Sequence, residues 1–161
     1  MTLHTSYFYQ IRFFKPYMIP FSTAVWDPKW YHDFRPQTYN FIDKNGVLNG
    51  LRIKNFMPGK SCENLCRGPE FCSTGDPETC EFLKAYEKQL QALDPVQIER
   101  YFEYVCQQIQ KSMGLQCNLM PVLIVHEAPT KACSERSVIL KVMNEKGIPT
   151  TELKYPIDSY Y

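Results

Sequence analysis

The spacing of apolar residues changes sharply in the last third of the chain. Pro121–His126 is a short apolar run that ends in polar residues, which is typical of a strand buried on both faces of a parallel sheet. From Ser134 onward the apolar positions recur at helical spacing, at Val138, Ile139, Val142 and Met143. Ser134 can cap this helix, Gly147 can end it, and Ile148–Tyr155 offers a second strand. The pattern therefore predicts a β-α-β unit with a right-handed crossover.

The first third of the chain has the pattern of strands. Thr5–Tyr9 and Met18–Val25 are rich in aromatic and β-branched residues, and they predict the first two strands. The turn residues at 43–46 predict a hairpin between the flanking segments FID and VLNGLRIKNF.

Two helices are predicted in the middle of the chain. Asp76-Pro77 and Asp94-Pro95 each supply a cap and a first helical position, and Gly114 stands where the second helix should end. Taken with the strands on either side, this order predicts one α/β domain over residues 1–161. We expect a three-layer, Rossmann-like arrangement with a largely parallel sheet and a cysteine-rich insertion at about 55–80.

Composition narrows the class of protein and its surroundings. At 161 residues and 44% hydrophobic content, the chain can bury a sizeable core. Its net charge of +1 argues against general nucleic-acid binding and against a membrane-surface role. The sequence has no long apolar run, and Met1–Gln10 lacks the pattern of a signal peptide. We therefore predict a cytoplasmic protein without a membrane partner.

The loop after the Pro121 strand carries the candidate chemistry, because ligands bind beyond the carboxyl ends of parallel strands. Its polar residues are Glu127, Cys133, Ser134, Arg136 and Ser137. Free N–H groups at the helix start and the Arg136 guanidinium can bind an anion, to which Ser134 and Ser137 can add hydroxyl contacts.

Two residues of this loop are candidate catalysts. The helix dipole and Arg136 should lower the pKa of the Cys133 thiol, and Glu127 can bind a ribose hydroxyl or act as a general base. Glu135 is predicted only to favour the positive end of the helix dipole. The alternative is structural: Cys133 fills a small apolar space, Ser134 is a cap, and Glu127 pairs with Arg136.

An aromatic segment, WDPKWYHDFRP, follows the second predicted strand. Aromatic rings beside a cation can hold a nucleobase or nucleotide, so Trp26 and Lys29 are candidate ligand contacts. The alternative is that these rings pack over the sheet as part of the core.

The chain has seven cysteines, which in a reducing compartment indicate metal ligands or reactive or buried thiols. Four of them are spaced C-x3-C-x5-C-x7-C, at Cys62, Cys66, Cys72 and Cys80. This is the ligand number of a structural zinc ion or an iron–sulfur cluster, and zinc is preferred because nothing else in the sequence indicates electron transfer. The alternative is four thiols that simply pack an irregular loop.

The two ends of the chain resemble a known family. The segments TSYFYQIR…MIPFSTAVWDPKWY and VLIVHEAP…CSERSVI look like the widespread bacterial and phage family known as domain of unknown function 488. That family combines an early strand–aromatic–strand segment with a late strand, a glutamate, and a cysteine-histidine-arginine motif that opens a helix. Glu127 and Cys133 match this motif, whereas Ser134 replaces the histidine and the arginine comes one residue later, at Arg136. The resemblance implies the fold and the position of the site but no reaction.

These observations favour a small α/β protein that binds a nucleotide-like or other phosphorylated small molecule at the loop after residues 121–127. Chemistry by Glu127 or Cys133 would make it an enzyme acting on nucleotides or nucleosides. Two alternatives stay open: a non-enzymatic phage or bacterial binder that sequesters a signalling nucleotide or host factor, and a zinc-stabilised interaction module.

Overall fold

The computed structural model describes residues 1–32, 41–42, 45–62, 65, 76–128 and 133–154. Its strands are β1 Leu3–Tyr7, β2 Met18–Ser22, β3 Phe41–Ile42, β4 Leu48–Asn49, β5 Met120–Val125 and β6 Thr150–Glu152. Its helices are α1 Lys29–His32, α2 Glu81–Gln91, α3 Pro95–Met113 and α4 Glu135–Glu145. A 3-10 segment, Phe8–Phe13, follows β1. The fold is mixed α/β, as predicted.

Four of these strands form one parallel sheet in the order β2-β5-β1-β6. In this register Tyr7 lies beside Val125, and Ser22 lies beside Ile124. The carboxyl ends of β1, β2 and β5 therefore meet at one edge of the sheet, which we call the carboxyl edge.

Buried apolar residues of the strands alternate between two core clusters, as the period of two requires. One cluster joins the strands to α2, α3 and α4, and its strand residues are Leu3, Ile19, Phe21, Leu123 and Val125. The other joins Met18, Val122 and Ile124 to the 3-10 segment and to Tyr31 of α1.

The helices begin and end where local signals place them, with one exception. The Asp94 side chain accepts a hydrogen bond from the Val96 N–H, and α3 ends at Gly114 in the left-handed conformation (φ 63°). Asp76, however, caps only a 3-10 turn, Pro77–Thr79. Cys80 then adopts an extended backbone, so α2 begins at Glu81 rather than at residue 77.

The predicted hairpin is confirmed, but it is short, because β3 and β4 have only two residues each. Gly50, with φ 92°, turns the chain after β4. The next residues run parallel to β2 instead: the Ser22 N–H donates to Leu51 O, and the Ile53 N–H donates to Ser22 O. Arg52 is thereby placed at the carboxyl edge.

None of the helices in the described ranges has the length and apolar character to cross a membrane.

Candidate functional site

The strands β1 and β5 are neighbours in the sheet, and the chain segments that follow them pack on opposite faces of the sheet. After β1 the 3-10 segment packs into one core cluster through Phe8, Ile11 and Phe14. After β5 the chain leads to α4, which packs into the other cluster. In open parallel sheets, ligands bind between two such connections, beyond the strand ends. By this rule the candidate site lies beyond Tyr7 and Val125, and we call this place the crevice.

The predicted loop residues Glu127, Ser134 and Ser137 are brought together on the α4 side of this crevice. The Ser134 hydroxyl donates to Oε2 of Glu127 at 3.1 Å and accepts from the Arg136 N–H at 3.2 Å. The Ser137 hydroxyl donates to Ser134 O at 2.8 Å. Ser134 is therefore both the helix cap and the residue that orients Glu127.

Arg136 is 5% exposed, and its guanidinium makes polar contacts with two groups of the described residues. Nη2 donates to the backbone oxygen of Glu127 at 2.5 Å, and Nε lies 2.7 Å from Oε2 of Glu152. The ion pair is thus with Glu152, not with the Glu127 carboxylate. Contact between Arg136 and a ligand stays a prediction. A ligand in contact with Arg136 would have to share the guanidinium with Glu152.

Glu152 belongs to the site although sequence reasoning did not single it out. Its Oε2 also accepts a hydrogen bond from the Thr5 hydroxyl of the adjacent strand. Burial raises the pKa of Glu152 above its ordinary value, while the hydrogen bond from Thr5 and the charge of Arg136 act against that rise. The loss of hydration therefore affects the pKa of this carboxylate more than the stabilisation by Thr5 and Arg136 does.

Glu135, the first residue of α4, is the second carboxyl that sequence reasoning missed. Burial raises its pKa to about 7, and the nearby Glu127 carboxylate adds to the rise by its charge and by a side-chain hydrogen bond. A second carboxylate nearby disfavours the charged form of Glu135, as burial does. The position of Glu135 in the first helical turn gave no sign of this pairing.

Cys133 is brought to the same end of α4, but its side chain is buried, with 5% exposure, in the cluster of α2, α3 and α4. Its position therefore agrees with the structural alternative, in which Cys133 fills a small apolar space. A catalytic role for Cys133 stays a prediction.

The described part of the aromatic segment, residues 26–32, lies on the other side of the crevice. Trp26 is 73% exposed, and its ring centroid lies 5.3 Å from that of His126. Nε2 of His126 is 2.8 Å from the backbone oxygen of Trp26. Lys29 is exposed at the start of α1, whereas Tyr31 is in the core, so the segment divides between surface and core.

A buried polar group that sequence reasoning missed fixes this segment. Asp27 accepts a hydrogen bond from the Ser22 hydroxyl, and its Oδ2 lies 3.2 Å from Nε of Arg52. Nη2 of Arg52 also donates to the backbone oxygens of Val25 at 2.8 Å and Ala24 at 3.4 Å.

Two of the four predicted zinc ligands fall within the described residues. Cys62 and Cys80 are both buried in the cluster of α2, α3 and α4, and burial raises the pKa of the Cys62 thiol. Cys66 and Cys72 lie outside the described residues. Within the described part of the chain, no group of three or more histidine, cysteine, aspartate or glutamate side chains could hold a metal ion. Zinc binding by the four cysteines stays a prediction.

No family model matches the chain, and it has no match among the curated proteins or the solved structures compared with it. The resemblance to the 488 family therefore stays a prediction. What the site can do must be inferred from its own geometry.

Proposed function

We propose that this protein binds a nucleotide-like small molecule in the crevice beyond β1 and β5 and that Glu127 and Glu135 exchange protons with it. In this proposal the sheet and its helices form a Rossmann-like three-layer arrangement, and residues near 55–80 form a cysteine-rich insertion. The observation that carries the proposal is the polar group at the carboxyl edge of a parallel sheet, where the Ser134 hydroxyl donates to Glu127 and the neighbouring Glu135 has a raised pKa.

The two carboxyls differ in their surroundings, and this assigns their roles. A group that loses its proton near neutral pH is suited to general acid catalysis, and Glu135 has a pKa of about 7. Glu127, oriented by the Ser134 hydroxyl, is then the base or the acceptor for a ribose hydroxyl. Paired carboxyls in unequal environments divide acid and base roles in this way.

Contacts to a phosphate, if the ligand carries one, come from groups at the rim. Lys29 and Ser137 are both exposed, whereas Arg136 is buried against Glu152. A phosphate close to Glu127 and Glu135 would be repelled by their charge. We therefore place the sugar hydroxyls at the carboxyl pair and any phosphate nearer to solvent.

The test is calorimetry with a panel of four nucleosides, their 5′-monophosphates and ribose 5-phosphate, combined with chromatography to detect conversion of each compound. Glu127→Gln and Glu135→Gln remove one ionisable group each while preserving side-chain shape. We expect at least one nucleoside or nucleotide to bind the wild type and either variant to reduce any turnover by about 10²–10⁴-fold. Glu145→Gln, at the exposed far end of α4, is the matched control and should leave both quantities unchanged.

Absence of binding by the whole panel would refute the proposal, as would full turnover in both glutamine variants. Binding that depends on Glu127 but is never followed by conversion would instead identify a protein that sequesters its ligand.

A further inference from the structure

Trp26 and Trp30 are the only tryptophans of the chain, and both lie in the segment after β2. Trp26 is 73% exposed, more than any other large hydrophobic side chain in the described ranges, and Trp30 is 46% exposed. Tryptophan has a large apolar surface, which proteins normally bury in the core or at an interface. An indole left open at the carboxyl edge therefore requires an explanation.

The Trp26 ring is held in place from behind. It packs against His126, whose ring centroid lies 4.8 Å from that of the buried Phe8. The backbone beneath it is fixed by Arg52 and by the contact between His126 and Trp26 O. A ring that is already held in position loses little conformational freedom when a ligand stacks on it.

The position of Trp26 relates it to the carboxyl pair. His126 and Glu127 are the first two residues after β5, and their contacts lie on opposite sides of the sheet. His126 accordingly contacts Phe8 and Trp26, and Glu127 contacts Ser134. A molecule that touches both Trp26 and Glu127 must cross the end of β5, within the crevice.

We infer that Trp26 is the stacking surface for the heterocyclic ring of a nucleoside or nucleotide, which lies across the end of β5 with its sugar toward Glu127 and Glu135. Nucleosides fit this arrangement because they join a flat ring to a sugar that carries hydroxyl groups. Bases of every type have a π-face, so stacking on Trp26 is tolerant of base identity. The inference rests on the proposed function and adds the base-binding half of the site, in which Arg52 is a positioning residue.

Tryptophan fluorescence tests the stacking directly. Trp30→Phe keeps an aromatic ring against Phe8 and Tyr31 and leaves Trp26 as the only tryptophan. In this variant adenosine and guanosine should quench the emission at saturation and should protect Trp26 from acrylamide. Ribose 5-phosphate, which lacks a base, should do neither.

Affinities of adenosine for further variants separate stacking from other effects. Loss of one stacked ring reduces affinity by about tenfold to hundredfold, so we expect this change in Trp26→Ala and a smaller one in Trp26→Phe. Tyr104→Ala removes another exposed aromatic side chain, on α3, and should leave adenosine affinity unchanged.

Three results would overturn the inference. Equal affinity of adenosine for the wild type and Trp26→Ala, with affinity still lost in Glu127→Gln, would exclude stacking and leave the proposed function standing. Absence of binding by every probe would remove both. Self-association that Trp26→Ala abolishes, in a protein that binds no nucleoside, would show that Trp26 contacts another protein molecule.

Discussion

Replacing Glu135 by glutamine tests the carboxyl pair without requiring a ligand. Glutamine preserves the size of the side chain and can hydrogen-bond to Glu127, but it cannot ionise. The pKa of Glu135 rises from 4.5 to about 7 in the folded protein, mainly through burial and secondarily through the charge of Glu127. Any difference in the pH dependence of stability between the two proteins therefore reports the ionisation of this pair.

The sign of that difference follows from the direction of the shift. Because the folded state binds the Glu135 proton more tightly than the unfolded state, the stabilisation is fully present below pH 4.5 and is lost as the pH rises through about 7. A rise from 4.5 to about 7 corresponds to roughly 3 kcal/mol at about 1.4 kcal/mol per unit. The wild type should lose up to this amount of stability relative to Glu135→Gln between pH 4.5 and 8.

Tyr86, which lies near Glu135, stays neutral throughout this range because burial raises its pKa well above its ordinary value. Glu127 interacts with Glu135, so the comparison reports the two carboxyl groups together. Urea unfolding at pH 4.5, 5.5, 6.5 and 8 gives the free energy of unfolding of both proteins, with Glu145→Gln as the control. If the difference between wild type and Glu135→Gln is the same at all four values, Glu135 ionises like an exposed carboxyl and the argument for the pair fails.

The remaining predictions concern the ion pair and the cysteines. Arg136→Ala should lower the free energy of unfolding by about 3 kcal/mol, because it leaves the partly buried Glu152 carboxylate without its cation. Adding Glu152→Gln should restore part of this loss. An unchanged urea midpoint in Arg136→Ala would contradict a stabilising ion pair between Arg136 and Glu152. Iodoacetamide should modify the exposed Cys117 well before the buried Cys133, and peptide mapping that finds Cys133 first would show an open path to its thiol. Purified protein should carry close to one zinc per chain, and a chelator should lower its melting temperature, whereas metal content far below this with an unchanged melting temperature would exclude a zinc site. The proposed ligands are Cys62, Cys66, Cys72 and Cys80.

The β-α-β unit at the end of the chain could be predicted because its signals are local. Ser134 caps α4 through its own hydroxyl, and Gly147 follows the helix with φ 80°. The strand predicted at Pro121–His126 is found one residue earlier, at Met120–Val125. In each case a few neighbouring residues determine where the helix or strand begins and ends.

The contacts that define the site could not be predicted because they depend on the order of the strands. Glu152 and Thr5 are 147 positions apart in sequence, and they meet because β6 pairs with β1. The predicted hairpin places Arg52 in the strand segment VLNGLRIKNF, but the chain leaves β4 and runs beside β2, where Arg52 meets Asp27. Strand order depends on packing across the whole chain, and a single sequence gives no local signal for it.

The charges of the side chains in the crevice bear on which chemical groups of the proposed ligand can lie there. Among the described residues, Glu127, Glu135 and Glu152 lie near the buried guanidinium of Arg136, and Glu152 already pairs with it. Even with Glu135 protonated, the formal charge of these four groups is negative. Such a place favours hydroxyl or amino groups, which donate hydrogen bonds, over a bare phosphate, which needs donors and positive charge. If the protein acts on nucleotides, the phosphate must therefore lie away from the carboxyl pair, and the nucleoside part must supply most of the recognition.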